Sequence, residues 1–341
     1  MYSFKEEHLM LEAEGARIPA VLTLPEDGSA RWLVVIIPGS MFSDVDGNYP
    51  DAHMKPHMYA DLARQLAQRG HAVLRYAKVS EQTGAVIVDK EQAEAHPIFV
   101  RQRYIAAAAC RKLRELVPEG SRLAIAGHSE GSVHGLVISQ WAEEEVRPDA
   151  VISLSGPAER YFNLFLQWAD AEQKDGYVSL GPVKIAVERY KKVFECIRNG
   201  EEWPEEVRND PGIAGAFGQM DKAGRQYMRD YDAIDPCQEI RKVPCPVLIV
   251  QGGMDQSAVL SNNAEKLFAA RQEVDPERSR LAFFPELQHF YKRATPELSA
   301  TESFALDGET DERVAEVISE WLEEIDSEDS TYQSQGASGK A

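Results

Sequence analysis

Residues 123–132 read Leu123-Ala124-Ile125-Ala126-Gly127-His128-Ser129-Glu130-Gly131-Ser132. Four apolar residues, a Gly-x-Ser-x-Gly signature and helix-like sequence over Ser132–Glu145 predict a buried strand that turns sharply into a helix. Such a turn strains the serine backbone and lets the flanking glycines pack close to neighbouring chain. It also lifts the Ser129 hydroxyl above the sheet edge, at a helix N-terminus where developing negative charge is favoured. With glycine and serine each near ~7% of residues, the pattern arises by accident in about one chain of this length in ten. The strand before it and the helix after it make Ser129 a candidate nucleophile, rather than the cap of an ordinary βα turn.

Working outward, the same kind of short, wholly apolar run recurs at Leu33–Ile37, Ala72–Tyr76, Ala150–Leu154, Val247–Val250 and Leu281–Phe284. Runs of this type suit strands buried on both faces of a mainly parallel sheet. Helical segments are expected between most of them, at Tyr59–Arg69, Val100–Leu116, Ala264–Arg271 and Asp311–Ile325. Leu9–Ala13 and Ile18–Leu24 alternate and predict an opening antiparallel pair. The expected fold is α/β: a doubly wound, mostly parallel sheet with helices on both faces. From 157 to 234 there is no strand candidate, only helix-like sequence rich in aromatic and charged residues. The predicted organisation is a core over 1–156 and 235–325, a helical lid inserted at 157–234, and a disordered polar tail over 326–341.

A serine hydroxyl is a poor nucleophile until a base accepts its proton. Where a serine nucleophile sits on a Gly-x-Ser-x-Gly elbow, its partners follow in the chain order acid, then histidine. Of the eight histidines, only His289 lies beyond Ser129 by more than a helical turn, and it follows the last strand candidate. Ten aspartates lie between the two. Asp255 is the one that follows a buried strand through a Gly252-Gly253 turn, where ligand-facing residues sit just past the strands' carboxyl ends. Asp232 and Asp235 are its competitors. Acyl transfer also needs two N–H groups aimed at the oxygen that becomes negative. The backbone of Glu130 is expected to supply one, and either Ser40 or Met41, in the loop after Leu33–Ile37, the other.

Several stretches together resemble the α/β-hydrolase superfamily, nearest to bacterial esterases of the serine-aminopeptidase-like branch. They are Pro38-Gly39-Ser40-Met41-Phe42-Ser43-Asp44-Val45-Asp46-Gly47-Asn48, Val73-Leu74-Arg75-Tyr76, the elbow Gly127–Gly131, Asp235-Pro236 before Cys245-Pro246-Val247-Leu248, and Leu287-Gln288-His289. The resemblance spans about Ile18 to Trp321. It implies a carboxylesterase for short or medium acyl chains that needs no cofactor. The chain departs from the pattern at Pro38, where relatives have His, and at Met41-Phe42, where they have Gly-Pro. It departs again at Ala77 and Val79, which replace Asp and Arg, and in lacking a valine two residues after Asp255.

The remaining features bound the reading. The 341 residues carry a formal charge of −19, which disfavours nucleic acids and anionic membrane surfaces as partners. No run of ~18 apolar residues occurs and Met1–Glu14 lacks an apolar leader core, so a cytoplasmic location is expected. Cys110, Cys196, Cys237 and Cys245 form no C-x-x-C pair and read as buried thiols in a reducing compartment. Asp44, Asp46, Asp51, His53 and His57 lack metal-ligand spacing, so no metal is expected. Phe42, Tyr161, Phe165 and Trp168 are candidates for the substrate pocket, the last three equally for packing of the insertion against the core. The expected substrate is a small acyl ester. An amide, peptide or thioester substrate, acyl transfer to an alcohol, and a non-catalytic ligand-binding protein on the same fold are the alternatives.

Overall fold

The computed structural model describes residues 1–117, 122–167, 187–203, 205, 209, 222–255 and 259–338. Among these residues nine strands form one sheet: β1 (Phe4–Ala13), β2 (Ala16–Pro25), β3 (Trp32–Ile37), β4 (Ala72–Tyr76), β5 (Val86–Ile87), β6 (Arg122–His128), β7 (Ala150–Leu154), β8 (Val247–Gly252) and β9 (Ser279–Phe284). Their order is β1-β2-β4-β3-β6-β7-β8-β9, with β5 on β2. β2 pairs antiparallel with β1, β4 and β5, and every pairing from β4 to β9 is parallel.

The helices are α1 (Met58–Ala67), α2 (Lys90–Glu94), α3 (Ile98–Leu116), α4 (Glu130–Ile138), α5 (Val187–Asn199), α6 (Lys222–Asp232), α7 (Pro236–Lys242), α8 (Asn262–Gln272), α9 (Ala300–Phe304) and α10 (Glu312–Ser338). Alternation along the buried strands makes the two cores. Trp32, Val34 and Ile36 of β3 join Val73, Ala126, Ile152 and Val250 under α1 and α10. Leu33, Val35 and Ile37 join Leu74, Ile125 and the Ile105–Leu113 face of α3 on the other side. Val151, Val247 and Ile249 pack with Ile240 of α7 and Leu267 of α8 on that same side. Because successive side chains point to opposite faces, a strand covered on both sides must be apolar throughout. This is why the runs were legible, and the sheet is doubly wound as expected.

Two helix ends differ most from the sequence reading. α4 ends at Ile138 rather than Glu145, because the Ser139 hydroxyl donates back to the Leu136 carbonyl (2.8 Å) and closes the last turn. α10 runs past Asp326 into the stretch read as a tail, which holds no proline and no glycine before Gly336. A polar composition does not by itself exclude a helix. Asp326 itself accepts from the Trp32 indole (3.0 Å) and from Arg122 (3.1 Å). Among the described residues of the insertion there is no strand, and Phe162, Val193, Phe194 and Ile197 form a separate small core. Asp232, buried, anchors it through Arg160, Arg198 and the Phe162 amide. Among the described residues no helix is long and apolar enough to cross a membrane.

Candidate active site

The elbow is built by backbone crowding. A side chain on Gly131 would stand 2.2 Å from the Ile37 carbonyl oxygen, so only glycine lets α4 press against the end of β3. Ser129 stands at φ 54°, ψ −121°, a conformation costly for any residue with a Cβ. Its amide donates to the Leu154 carbonyl (2.8 Å), pinning the turn to β7. Glu130 opens α4, so its own N–H has no preceding turn to bond to.

The loops after β8 and β9 meet by the same device. Gly252 lies where a Cβ would come 2.3 Å from the Leu287 carbonyl oxygen, and the Met254 amide donates to that carbonyl (2.9 Å). This contact brings together residues 34 positions apart: His289 Nδ1 lies 2.6 Å from Asp255 Oδ2. Both residues are buried. Asp255 also accepts from the Val259 amide (3.1 Å) and Gln251 (3.3 Å), so its carboxylate is fixed before it meets the imidazole. A carboxylate can only accept here, which puts a proton on Nδ1 and leaves Nε2 as the basic nitrogen. The competing aspartates are engaged elsewhere: Asp232 as above, and Asp235 as the cap of α7, accepting from the Gln238 amide.

A cavity of about 250 Å³ has Ser129 and His289 in its wall together with Ser40, Met41 and Tyr161. Most of the rest is aromatic or aliphatic, contributed by Tyr49, Tyr231, Phe290, Phe304 and Leu164. Among the described residues the Ser129 hydroxyl takes no hydrogen-bond partner, His289 included; catalytic hydrogen bonds are often loose before substrate arrives.

The loop after β3 sits tight against the elbow. A Cβ on Gly39 would lie 3.1 Å from Ser129 Cβ. The Gly39 amide donates to the Tyr59 phenol oxygen (2.9 Å), and that phenol lies 3.1 Å from His128 Nδ1. His128 Nε2 lies 3.1 Å from the His289 backbone carbonyl, which can only accept. His128 is therefore the neutral Nε2–H tautomer, accepting from Tyr59 at its other nitrogen. Burial, reinforced by the neighbouring His289, holds His128 well below the ordinary histidine pKa, and burial pushes the Tyr59 phenol up to about 12. Both keep the protonation this chain of bonds requires at neutral pH.

Beneath the loop lies a second, unanticipated cluster. The Glu130 carboxylate is fully buried and accepts from Lys78 Nζ (2.9 Å), Ser40 Oγ (3.0 Å), His134 Nε2 (3.2 Å) and the Tyr227 hydroxyl. Burial alone would raise its pKa, but the Lys78 charge and the His134 bond hold it far below the usual carboxylate range.

Of the pocket candidates, Tyr161 lines the cavity and stacks on Tyr231. Phe42 is half exposed outside it, and Phe165 packs against Tyr190 and Phe194 in the insertion core. Trp168 lies outside the described residues. Tyr49, Tyr231, Phe290 and Phe304 were missed. Only Phe290, adjacent to His289, carried a sequence signal. Among the described residues no His/Cys/Asp/Glu group could hold a metal ion.

No protein-family model matches the sequence, and no curated protein matches it. Solved structures do. An esterase of Pyrococcus furiosus superposes with TM-score 0.54 at 12% identity over 94% of this chain and 91% of its own. A lipase in its open form gives 0.54 at 13% over 95% and 99%, respectively. Est1E of Butyrivibrio proteoclasticus, determined with ferulic acid bound, gives 0.52 at 17% over 94% and 98%. The chain has the α/β-hydrolase fold.

Proposed function

We propose that this protein of α/β-hydrolase fold is a serine hydrolase that cleaves small carboxylic esters through an acyl-enzyme. The observation that carries the reading is the 2.6 Å contact of Asp255 with His289, which shares the wall of an apolar cavity with the strained Ser129. His289 Nε2 takes the Ser129 proton as Oγ attacks the ester carbonyl. The carbonyl oxygen becomes negative between the Glu130 amide and that of Ser40 or Met41. The imidazolium, stabilised by Asp255, then gives its proton to the leaving alcohol. Water attacks the acyl-enzyme by the same route, and the acid leaves as Ser129 regains its proton.

The cavity bounds the substrate. About 250 Å³ falls below the ~300–1,000 Å³ of typical drug-sized ligand sites, and its wall is aromatic. Compact acyl or aryl groups suit it better than long chains. That solved proteins of this fold include esterases and a lipase supports an ester substrate. The test is a p-nitrophenyl ester series with fluorophosphonate labelling. Turnover should be greatest for acetate to butyrate, with the label at Ser129. Ser129→Ala should lose both by more than ~10⁴-fold with an unchanged circular dichroism spectrum. Undiminished turnover in that variant would refute the assignment.

A further inference from the structure

We propose that Lys78, paired with the buried Glu130 carboxylate, is the positioning residue of the oxyanion site. It acts by gripping the Gly39 carbonyl, and so selects Ser40 as the second amide donor. The inference rests on the acyl-transfer reading above and assigns parts that reading leaves open.

The geometry runs through one peptide unit. Lys78 Nζ lies 2.8 Å from the Gly39 carbonyl oxygen and 2.9 Å from Glu130 Oε1, with the lysine buried. Among the described residues no peptide bond is cis. In a trans peptide the C=O and the following N–H point in opposite directions. Holding the Gly39 oxygen toward Lys78 therefore turns the Ser40 N–H away from it. Ser40 is in the cavity wall, so that is the side on which a substrate oxygen can sit. The residue is held a second time, by its own hydroxyl donating to Glu130 Oε2 (3.0 Å). The next peptide is different. Among the described residues no hydrogen bond holds the Ser40 carbonyl, and Met41 sits at φ 65° with half its surface exposed.

Charge supplies a second reason for the pair. Glu130 is covalently next to the nucleophile, and its N–H is the other expected donor. An uncompensated carboxylate there would repel the developing oxyanion in a site of low dielectric. Lys78 cancels that charge, and its ammonium grips the Gly39 oxygen more strongly than a neutral donor would. His134 and Tyr227 fill the remaining acceptor capacity of the carboxylate. The pair thus places both donors: Glu130 anchors the loop to the elbow from one side, and Lys78 orients the loop peptide from the other.

The experiment compares the parent with Lys78→Met and with Lys78→Met/Glu130→Gln. The double variant removes both charges, so it avoids the unpaired buried carboxylate that can unfold the single one. Each is assayed for p-nitrophenyl acetate kcat and KM, and for inhibition by an aryl trifluoromethyl ketone. Ser129 Oγ adds to the ketone carbonyl, His289 takes the proton, and the new oxyanion occupies the site. A folded double variant should lose 10- to 100-fold in kcat, with KM within threefold. Its affinity for the ketone should fall by the same factor. The single variant should lose more, because its carboxylate keeps its charge. A folded double variant with kcat and ketone affinity within twofold of the parent would overturn the positioning role. Failure of the acyl-transfer reading looks different: the parent itself would neither turn over the ester nor bind the ketone.

Discussion

Two buried carboxylates flank the surroundings of the proposed nucleophile, and their partners differ in kind. Asp255 accepts from the Val259 amide and Gln251, and its Oδ2 lies 2.6 Å from His289. Glu130 is saturated by a lysine, a histidine and two hydroxyls. In the proposed chemistry the first orients a proton carrier, so its value lies in which tautomer it imposes. The second carries no proton in the proposed chemistry, so its value lies in where it holds backbone. A buried acid beside a candidate nucleophile is thus not by itself a triad member; its partners decide.

The largest way to test this contrast is at Asp255. Asp255→Asn keeps the shape but can offer its amide N–H to Nδ1. The imidazole is then free to hold its proton on Nε2, where it cannot accept from serine. Loss of kcat by about 10⁴ is expected, with the fold intact. Asp235→Asn, which alters only the cap of α7, should leave turnover within a few-fold. Steady-state kinetics with matched circular dichroism decide it; parity between the two variants breaks the comparison.

The contrast was half legible in the sequence, for a physical reason. Asp255 and His289 each follow an apolar strand, and the parallel pairing of β8 with β9 places both loops at one edge. The Gly252-Gly253 pair marked the close approach of their loops. The Glu130 cluster carried no such signal. Its lysine follows β4, two strands away from β6, in the span where the expected Asp and Arg are replaced and where only Ala77 and Val79 drew notice. Tyr227 arrives from α6 in the insertion, where the helical spacing of Tyr227, Met228 and Tyr231 marks an inward face but not the carboxylate it meets. Pairings that depend on side-chain reach across elements are invisible to strand patterns.

Stability against pH sharpens the contrast at the next level of effect. The folded Glu130 carboxyl titrates well below its ordinary value of 4.5. An acid depressed by folding stabilises the native state fully above its unfolded value, and that contribution is lost as pH falls through the folded one. The parent should therefore lose an advantage over Glu130→Gln of up to about 1.4 kcal/mol per pH unit below pH 4.5. Above that pH the gap should be constant. At pH 7 the glutamine variant, with Lys78 buried beside a neutral amide, should be less stable by about 3 kcal/mol or more. Urea denaturation midpoints at pH 3.5 to 7 measure both. A gap that widens on acidification would mean that Glu130 is protonated in the native state.

The smallest effect falls where sequence neighbourhood and structure part company. Phe42 and Tyr161 were expected together at the pocket, one beside the oxyanion loop and the other opening the insertion. Tyr161 lines the cavity against Tyr231, whereas Phe42 follows the left-handed Met41 and is 44% exposed. A residue in the left-handed region redirects the chain, which carries the next side chain away from the surface its neighbours share. Tyr161→Ala should therefore raise KM for p-nitrophenyl butyrate by about tenfold, the ~1.5 kcal/mol expected for lost aromatic contact. Phe42→Ala should shift KM less than twofold and stability within about 0.5 kcal/mol. Equal KM effects at the two positions would mean that the ester leaves the cavity past Phe42, and that the loop after Met41 folds over the substrate when it binds.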